Sequence, residues 1–349
     1  MAQINKPNEY FNTVLYTGDG TDGRGITGVG FQPDWCWFKA RSTAYENQVY
    51  DVVRGATKRL VTNDTTAEGT QANGLQSFDS DGFTVGSHVG CNGNGNSIVA
   101  WNWLGANGTA SNTDGSITST VSANTTSGFS IVTYTGNGSA GATIGHGLGT
   151  TPSFIIIKSR SSAYGWYCYH KGIDATAPED YFIRLDTTDA RVNSPAILND
   201  TAPTNSVITL GSNVAANGSG LTYVAYCFAP KKGFSAMGQY TGNGSTDGTF
   251  VYTGFKSAFV MFKNITNGAV SWYMFDNKRN GYNGDNKSLR PNTSDTETSA
   301  SNYPLDILSN GFKLLSTNNE VNGSGDTYIY TAFAENPLVG TNNIPATAR

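Results

Sequence analysis

Charged side chains are scarce in this chain. Lys, Arg, Asp and Glu together make up 14% of its 349 residues, against about 25% in an average soluble domain. The net charge is −4 and there is no basic run or cationic stripe, which argues against nucleic-acid binding. No apolar stretch approaches the ~18 residues that a membrane-spanning helix needs, which argues against membrane insertion. Residues 1–12 are polar and lack the apolar core of a signal peptide, so the expectation is cytoplasmic synthesis without export by the general route. Four cysteines do not make a disulfide scaffold. Cys36, Cys168 and Cys227 lie in apolar runs and read as buried thiols, whereas Cys91 lies in a Gly/Asn turn and reads as exposed. His88, His146 and His170 have no ligand spacing, so no metal site is expected. A nucleophile elbow, a P-loop and a dinucleotide fingerprint are all missing, and no catalytic residue or cofactor is expected.

Aromatics and turn formers are abundant instead: 18 Tyr, 17 Phe, 6 Trp and 42 Gly. Disordered chains lack such aromatics, so this one can bury a core. Three markers recur in the same order. The first is Tyr16-Thr17-Gly18-Asp19-Gly20-Thr21, which returns as Tyr134-Thr135-Gly136-Asn137-Gly138-Ser139 and Tyr240-Thr241-Gly242-Asn243-Gly244-Ser245. The second is an apolar run ending in Lys39, Lys158 or Lys263. The third is Asn-Gly-x-Gly-x-Ser/Thr, starting at Asn92, Asn217 and Asn322, before a closing aromatic strand. Each repeat spans about 95 to 105 residues, the size of a domain with its own core.

Helical periodicity is nearly absent. Short aromatic or β-branched runs alternate with Gly/Asn/Asp/Ser clusters, as in β-sandwiches. The expected fold is all-β: three tandem β-sandwich, jelly-roll-like domains. Repeat 1 covers 1–104, a Gly/Ser/Thr/Asn-rich linker 105–127, repeat 2 128–230, repeat 3 231–335, and an extended tail 336–349. The unbroken run Phe154-Ile155-Ile156-Ile157 suggests a central strand covered on both faces.

Several residues invite a functional reading. Trp35, Trp37, Trp101, Trp103, Trp166 and Trp272 could stack on sugars or anchor an interface, although core packing is the simpler account. Lys39, Lys158 and Lys263 could meet an anion or a partner's carboxylate, although snorkelling toward water is simpler. Asp51, His170 and Asp276 share one repeat position and read as a surface site free to drift. Asp174, Glu179 and Asp180 could serve a glycosidase, but they sit in a loop without counterparts in the other copies.

The strings Trp37-Phe38-Lys39-Ala40-Arg41-Ser42, Val52-Val53-Arg54-Gly55-Ala56-Thr57-Lys58, Ser80-Asp81-Gly82-Phe83 and Val99-Ala100-Trp101-Asn102-Trp103 resemble a domain repeated in virion proteins of tailed bacteriophages. Gly145-His146-Gly147-Leu148-Gly149 and Pro152-Ser153-Phe154-Ile155-Ile156-Ile157-Lys158 carry its companion pattern, and Ile344-Pro345-Ala346-Thr347-Ala348-Arg349 is similar to C-termini of such proteins. Repeat 3 lacks the Gly-His-Gly and Arg-Gly-Ala pieces.

The resemblance implies a structural, tail-fibre-like protein on the virion exterior. The expected partners are further copies of the chain, for instance in a trimer, other virion proteins, and a host surface glycan or receptor. A head-decoration or head-fibre protein binding the capsid is the alternative, and a polysaccharide-degrading tail spike a weaker one. If binding occurs, it belongs to the unshared loops of one copy or to surfaces where copies and subunits meet.

Overall fold

The computed structural model describes residues 3–279, 283, 286–299, 304–340 and 345–347. The chain is all-β, built from antiparallel sheets; among the described residues its helices are four-residue α-helices at Val89–Asn92 and Val214–Asn217 and short 3-10 turns at Pro7–Glu9 and Pro178–Asp180. One strand order occurs three times. In the first copy Phe11–Thr17, Ser97–Trp103, Trp35–Ala40, Gln48–Asp51, Lys58–Val61 and Gly69–Thr70 lie side by side as a wall. The second copy repeats this order with Phe129–Thr135, Thr222–Phe228, Phe154–Ser159, Trp166–His170 and Tyr181–Arg184. The third keeps four strands: Ser235–Thr241, Thr327–Pro337, Phe255–Asn264 and Trp272–Asp276. A smaller sheet covers one face of each wall: Arg24–Thr27 with Gly82–Val85 and Leu75–Asp79, Ala142–Gly145 with Val207–Leu210, and Phe250–Tyr252 with Gly311–Leu314 and Leu305–Leu308.

Each sandwich has its own core. Phe38 meets Phe83 edge-on in the first, Ile155, Ile157 and Ile208 belong to the second, and Tyr240 meets both Phe262 and Phe312 in the third, each within a separate buried cluster. The turn markers hold these sandwiches closed. Buried Asn92, Asn217 and Asn322 accept the backbone N–H of Asp19, Asn137 and Asn243 at 3.0–3.1 Å. Their amide nitrogens donate back to Thr21 O, Ser139 O and Ser245 O at 2.8–3.0 Å. Tyr16, Tyr134 and Tyr240 brace the same turns through their hydroxyls, which donate to Cys91 O, Ala216 O and Val321 O. The two turns pass so closely that a Cβ on Gly18 would stand 2.2 Å from Gly93 O. Two of the sequence markers are therefore halves of a single clasp.

The segment 105–127, expected to be a linker, differs. It forms a hairpin, Ala110–Asn112 with Ser119–Asn124, that extends the second wall alongside Phe129–Thr135. The physical reason is a period of two in small residues: Ile117, Ser119 and Val121 are buried while Thr118 and Thr120 are exposed. Gly105 and Asn107 donate their N–H groups to Asp34 at 2.7 and 3.2 Å, anchoring the hairpin's root on the first copy. The tail expected from residue 336 also differs. The last strand runs to Pro337, and Ala346 N donates back to Leu338 O at 2.8 Å. Of the closing motif, Ile344, Ala348 and Arg349 lie outside the described residues. Cys91, expected to be exposed, is fully buried beside Tyr16 and Phe83, and all four cysteines are free thiols.

Candidate functional site

The second face of each wall is also buried, against the other two walls. Period-two alternation sends Trp35, Trp37 and Lys39 to this face of the first copy, Phe154, Ile156 and Lys158 to that of the second, and Phe259, Met261 and Lys263 to that of the third. Directly across the strands, Trp35 faces Trp103, Phe154 faces Phe228 and Phe259 faces Phe333. Trp103, Phe228 and Phe333 form a triangle with ring centroids 5.5–6.4 Å apart. The three sandwiches thus close into a ring around one shared aromatic core.

All six tryptophans belong to this core and are at most 2% exposed, so none can stack on an external ligand. Trp35 stacks on Tyr226 of the second copy at 4.5 Å, and Trp101 meets Phe259 of the third edge-on at 5.6 Å. Trp166 Nε1 donates to Val61 O of the first copy at 2.8 Å, and Trp272 Nε1 to Arg184 O of the second at 2.9 Å. Asn47 occupies the corresponding position in the first copy and donates to Thr293 O of the third at 2.7 Å.

The lysines correct the snorkelling expectation, because all three are fully buried. Each ammonium donates to one carbonyl of its own copy and one of a neighbour. Lys39 reaches Tyr45 O and, at 3.0 Å, Ser294 O. Lys158 reaches Tyr164 O and, at 2.8 Å, Thr65 O. Lys263 reaches Asn264 O and, at 3.3 Å, Thr188 O. The contacts run from copy one to three, three to two and two to one, closing the circle. Burial pushes each ammonium down to about 8, which leaves it mostly charged at neutral pH. The carbonyl acceptors replace part of its lost hydration.

Asp51, His170 and Asp276, expected at the surface, are buried at the three junctions. Asp51 accepts from Tyr226 Oη at 2.7 Å, and Asp276 accepts from Trp101 Nε1 at 3.0 Å. His170 Nδ1 accepts from Gly172 N, which leaves Nε2 to donate to Tyr330 O at 3.0 Å. Two junctions add ion pairs. Arg54 bridges Asp51 and Glu68, and Arg160 joins Glu68 at 3.0 Å. Arg279 bridges Asp276 and Glu297, and Arg41 joins Glu297 at 2.8 Å. At these two junctions Glu68 N donates to Arg160 O and Glu297 N to Arg41 O; at the junction of copies two and three the corresponding bond runs from Arg191 N to Ile265 O, and no such ladder forms among the described residues.

A cleft of about 200 Å³ opens at that junction, lined by Asp174, Arg191, Gln239, Thr241, Thr266 and Thr327. Asp174 accepts from Thr176 N and Ala177 N and pairs with Arg191 at 2.8 Å. These backbone donors, led by Thr176 N, hold its carboxyl down at about 2. Such a group is ionised at neutral pH and cannot act as a general acid. Glu179 and Asp180 lie on a short 3-10 turn, Pro178–Asp180, beyond the cleft lining.

One surface feature escaped sequence reasoning. On the outer face of the third copy's small sheet, Phe250 is 45% and Tyr252 60% exposed. Lys313 faces Phe250 and Gly311 faces Tyr252 across the strands, while Val251 points into the core. Asp247 pairs with Lys313 at the rim. The equivalent positions are Gly25 and Thr27 in the first copy, and Thr143 and Gly145 in the second. Aligning the triplets Gly25-Ile26-Thr27, Thr143-Ile144-Gly145 and Phe250-Val251-Tyr252 on their buried central residue was the available signal.

Residues 6–337 match the domain family described as a domain of unknown function, DUF7483. No curated protein and no solved structure matches the chain.

Proposed function

We propose that this chain, which belongs to the DUF7483 family, is a non-enzymatic structural protein on the exterior of a bacteriophage particle. In this reading it is tail-fibre-like and touches the host surface. The observation that carries the proposal is the shared core. The aromatic and lysine residues that the copies have in common serve to lock three sandwiches into one block. Such a block suits a rigid projection, and contacts with host, virion proteins or further copies fall to its outer faces. The resemblance to repeated virion domains supports the location. For a degrading spike, Asp174, held ionised, could supply the carboxylate of the catalytic pair but not its acid.

Gold-labelled antibody against the purified protein tests the proposal on intact particles. Label at the tail is the expected result. Label confined to the head would favour the capsid-decorating alternative, and absence of the protein from purified particles would refute both.

A further inference from the structure

We infer that the outer face of the Phe250–Tyr252, Gly311–Leu314 and Leu305–Leu308 sheet is a glycan-binding platform on which Phe250 and Tyr252 stack against sugar rings. This deepens the host-contact reading above and rests on it for the source of the glycan.

The residues at issue are not required by the fold. The first copy builds the same three-stranded sheet with Gly25 and Thr27, both exposed, at the two positions; in the second, Asn112 covers Gly145 and leaves no room for a side chain. Large apolar side chains held in water are unfavourable by roughly 1.5–3 kcal/mol relative to burial. A fold that manages with glycine and threonine elsewhere has no packing reason to place Phe and Tyr here.

The geometry favours a sugar over a protein. Phe250 and Tyr252 lie two residues apart on one strand, which sets their Cβ atoms roughly 6.5–7 Å apart on the same face. Gly311, like Gly82 in the first copy, is fixed by the approach of the neighbouring backbone, where a Cβ would stand 2.0 Å from Val251 O, and it adds no side chain beside the two rings. Lys313 and Asp247 supply a hydrogen-bonding rim on one side. The whole face is three short strands wide, roughly 100–150 Å². A stable protein interface needs about 800 Å² per partner. One or two pyranose rings, with apolar C–H faces and a hydroxyl periphery, match both the area and the arrangement of ring and rim.

The test uses the full chain on an array of immobilised glycans, with maltohexaose, cellohexaose, chitohexaose and lipopolysaccharide from susceptible host cells among the probes. Retention on at least one probe is expected. Tyr252→Ala and Phe250→Ala should each weaken it by about tenfold or more, while Tyr252→Phe retains most of it. All variants should unfold at the wild-type temperature, because both side chains are exposed. Binding to none of the probes, or equal binding by the alanine variants, overturns the assignment. So does self-association that Tyr252→Ala abolishes without any glycan retention, since the face would then be a contact between copies. The two proposals fail separately. Labelled particles without glycan retention refute the platform alone, and glycan retention by a protein missing from particles refutes the location alone.

Discussion

Replacing Trp35 by alanine tests whether the three copies unfold as one body. Trp35 is 1% exposed, and its ring lies 4.5 Å from both Trp103 of its own copy and Tyr226 of the second. Removing a buried indole costs about 3–5 kcal/mol, from lost transfer energy and the cavity left behind. Each 1.4 kcal/mol is about a tenfold change in an opening equilibrium. The slowest amides, which exchange only on global opening, should therefore speed up by roughly two to three and a half orders of magnitude. The informative sites are Val99, Val224 and Ile329, which occupy one position in the closing strands of the three copies. Hydrogen exchange read by NMR or mass spectrometry should show a similar acceleration at all three. Acceleration at Val99 alone, with Val224 and Ile329 unchanged, would refute the shared core as the source of cooperativity.

Further predictions address the polar parts of the ring. Lys158→Met leaves Thr65 O and Tyr164 O without their donor and should cost about 1–3 kcal/mol in urea unfolding; an unchanged midpoint would contradict the bridging role. Trp101→Phe removes the donor to buried Asp276 and should cost about 1.5–3 kcal/mol more than Trp37→Phe, whose indole N–H has no partner among the described residues. Burial pushes His170 down to about 4. Its folded-state pKa is thus below its unfolded value near 6.5, and the unfolded chain binds more protons in between. Stability from this group is fully present above about 6.5 and is lost as pH falls toward 4, by about 3 kcal/mol. Urea midpoints at pH 7 and 4.5 should differ less in His170→Asn than in wild type, and an equal difference would exclude His170 as the cause. Asn217→Ala deprives Asn137 N, Ser139 O and Gly211 O of their partner and should lower thermal stability by about 2–4 kcal/mol.

Much of the fold was legible because its causes are local. The two halves of each clasp lie 73 to 80 residues apart, but each half is a turn written in its own Gly and Asn residues. The run Phe154 to Ile157 predicts a strand covered on both faces, and its residues do divide between the second copy's own core and the shared core. What stayed hidden depends on partners remote in sequence. Nothing near Lys39 indicates that Ser294 O, 255 residues away, receives its ammonium. A lysine after an apolar run therefore looks like a snorkelling side chain. Asp51, His170 and Asp276 are not the same residue in all three copies, which suggests drift. Each in fact matches a different neighbour: a tyrosine hydroxyl, a backbone carbonyl or an indole. The hairpin in 105–127 was hidden by composition, since Ser119 and Ser122 join Val121 among its buried residues, where other strands carry Val, Ile or aromatics.

The ring also fixes valency. Three identical chains arranged in this way would offer three copies of every surface feature and would separate on dilution. Here the three bodies are joined covalently, so the ring persists at any concentration and its copies are free to differ. The Phe250–Tyr252 face is the product of that freedom: one site per ring instead of three. Weak stacking at a single site gives little residence time, so firm attachment would require many chains held on one support, engaging many glycans at once. Avidity then depends on how densely the rings are displayed, which their support sets and the fold does not.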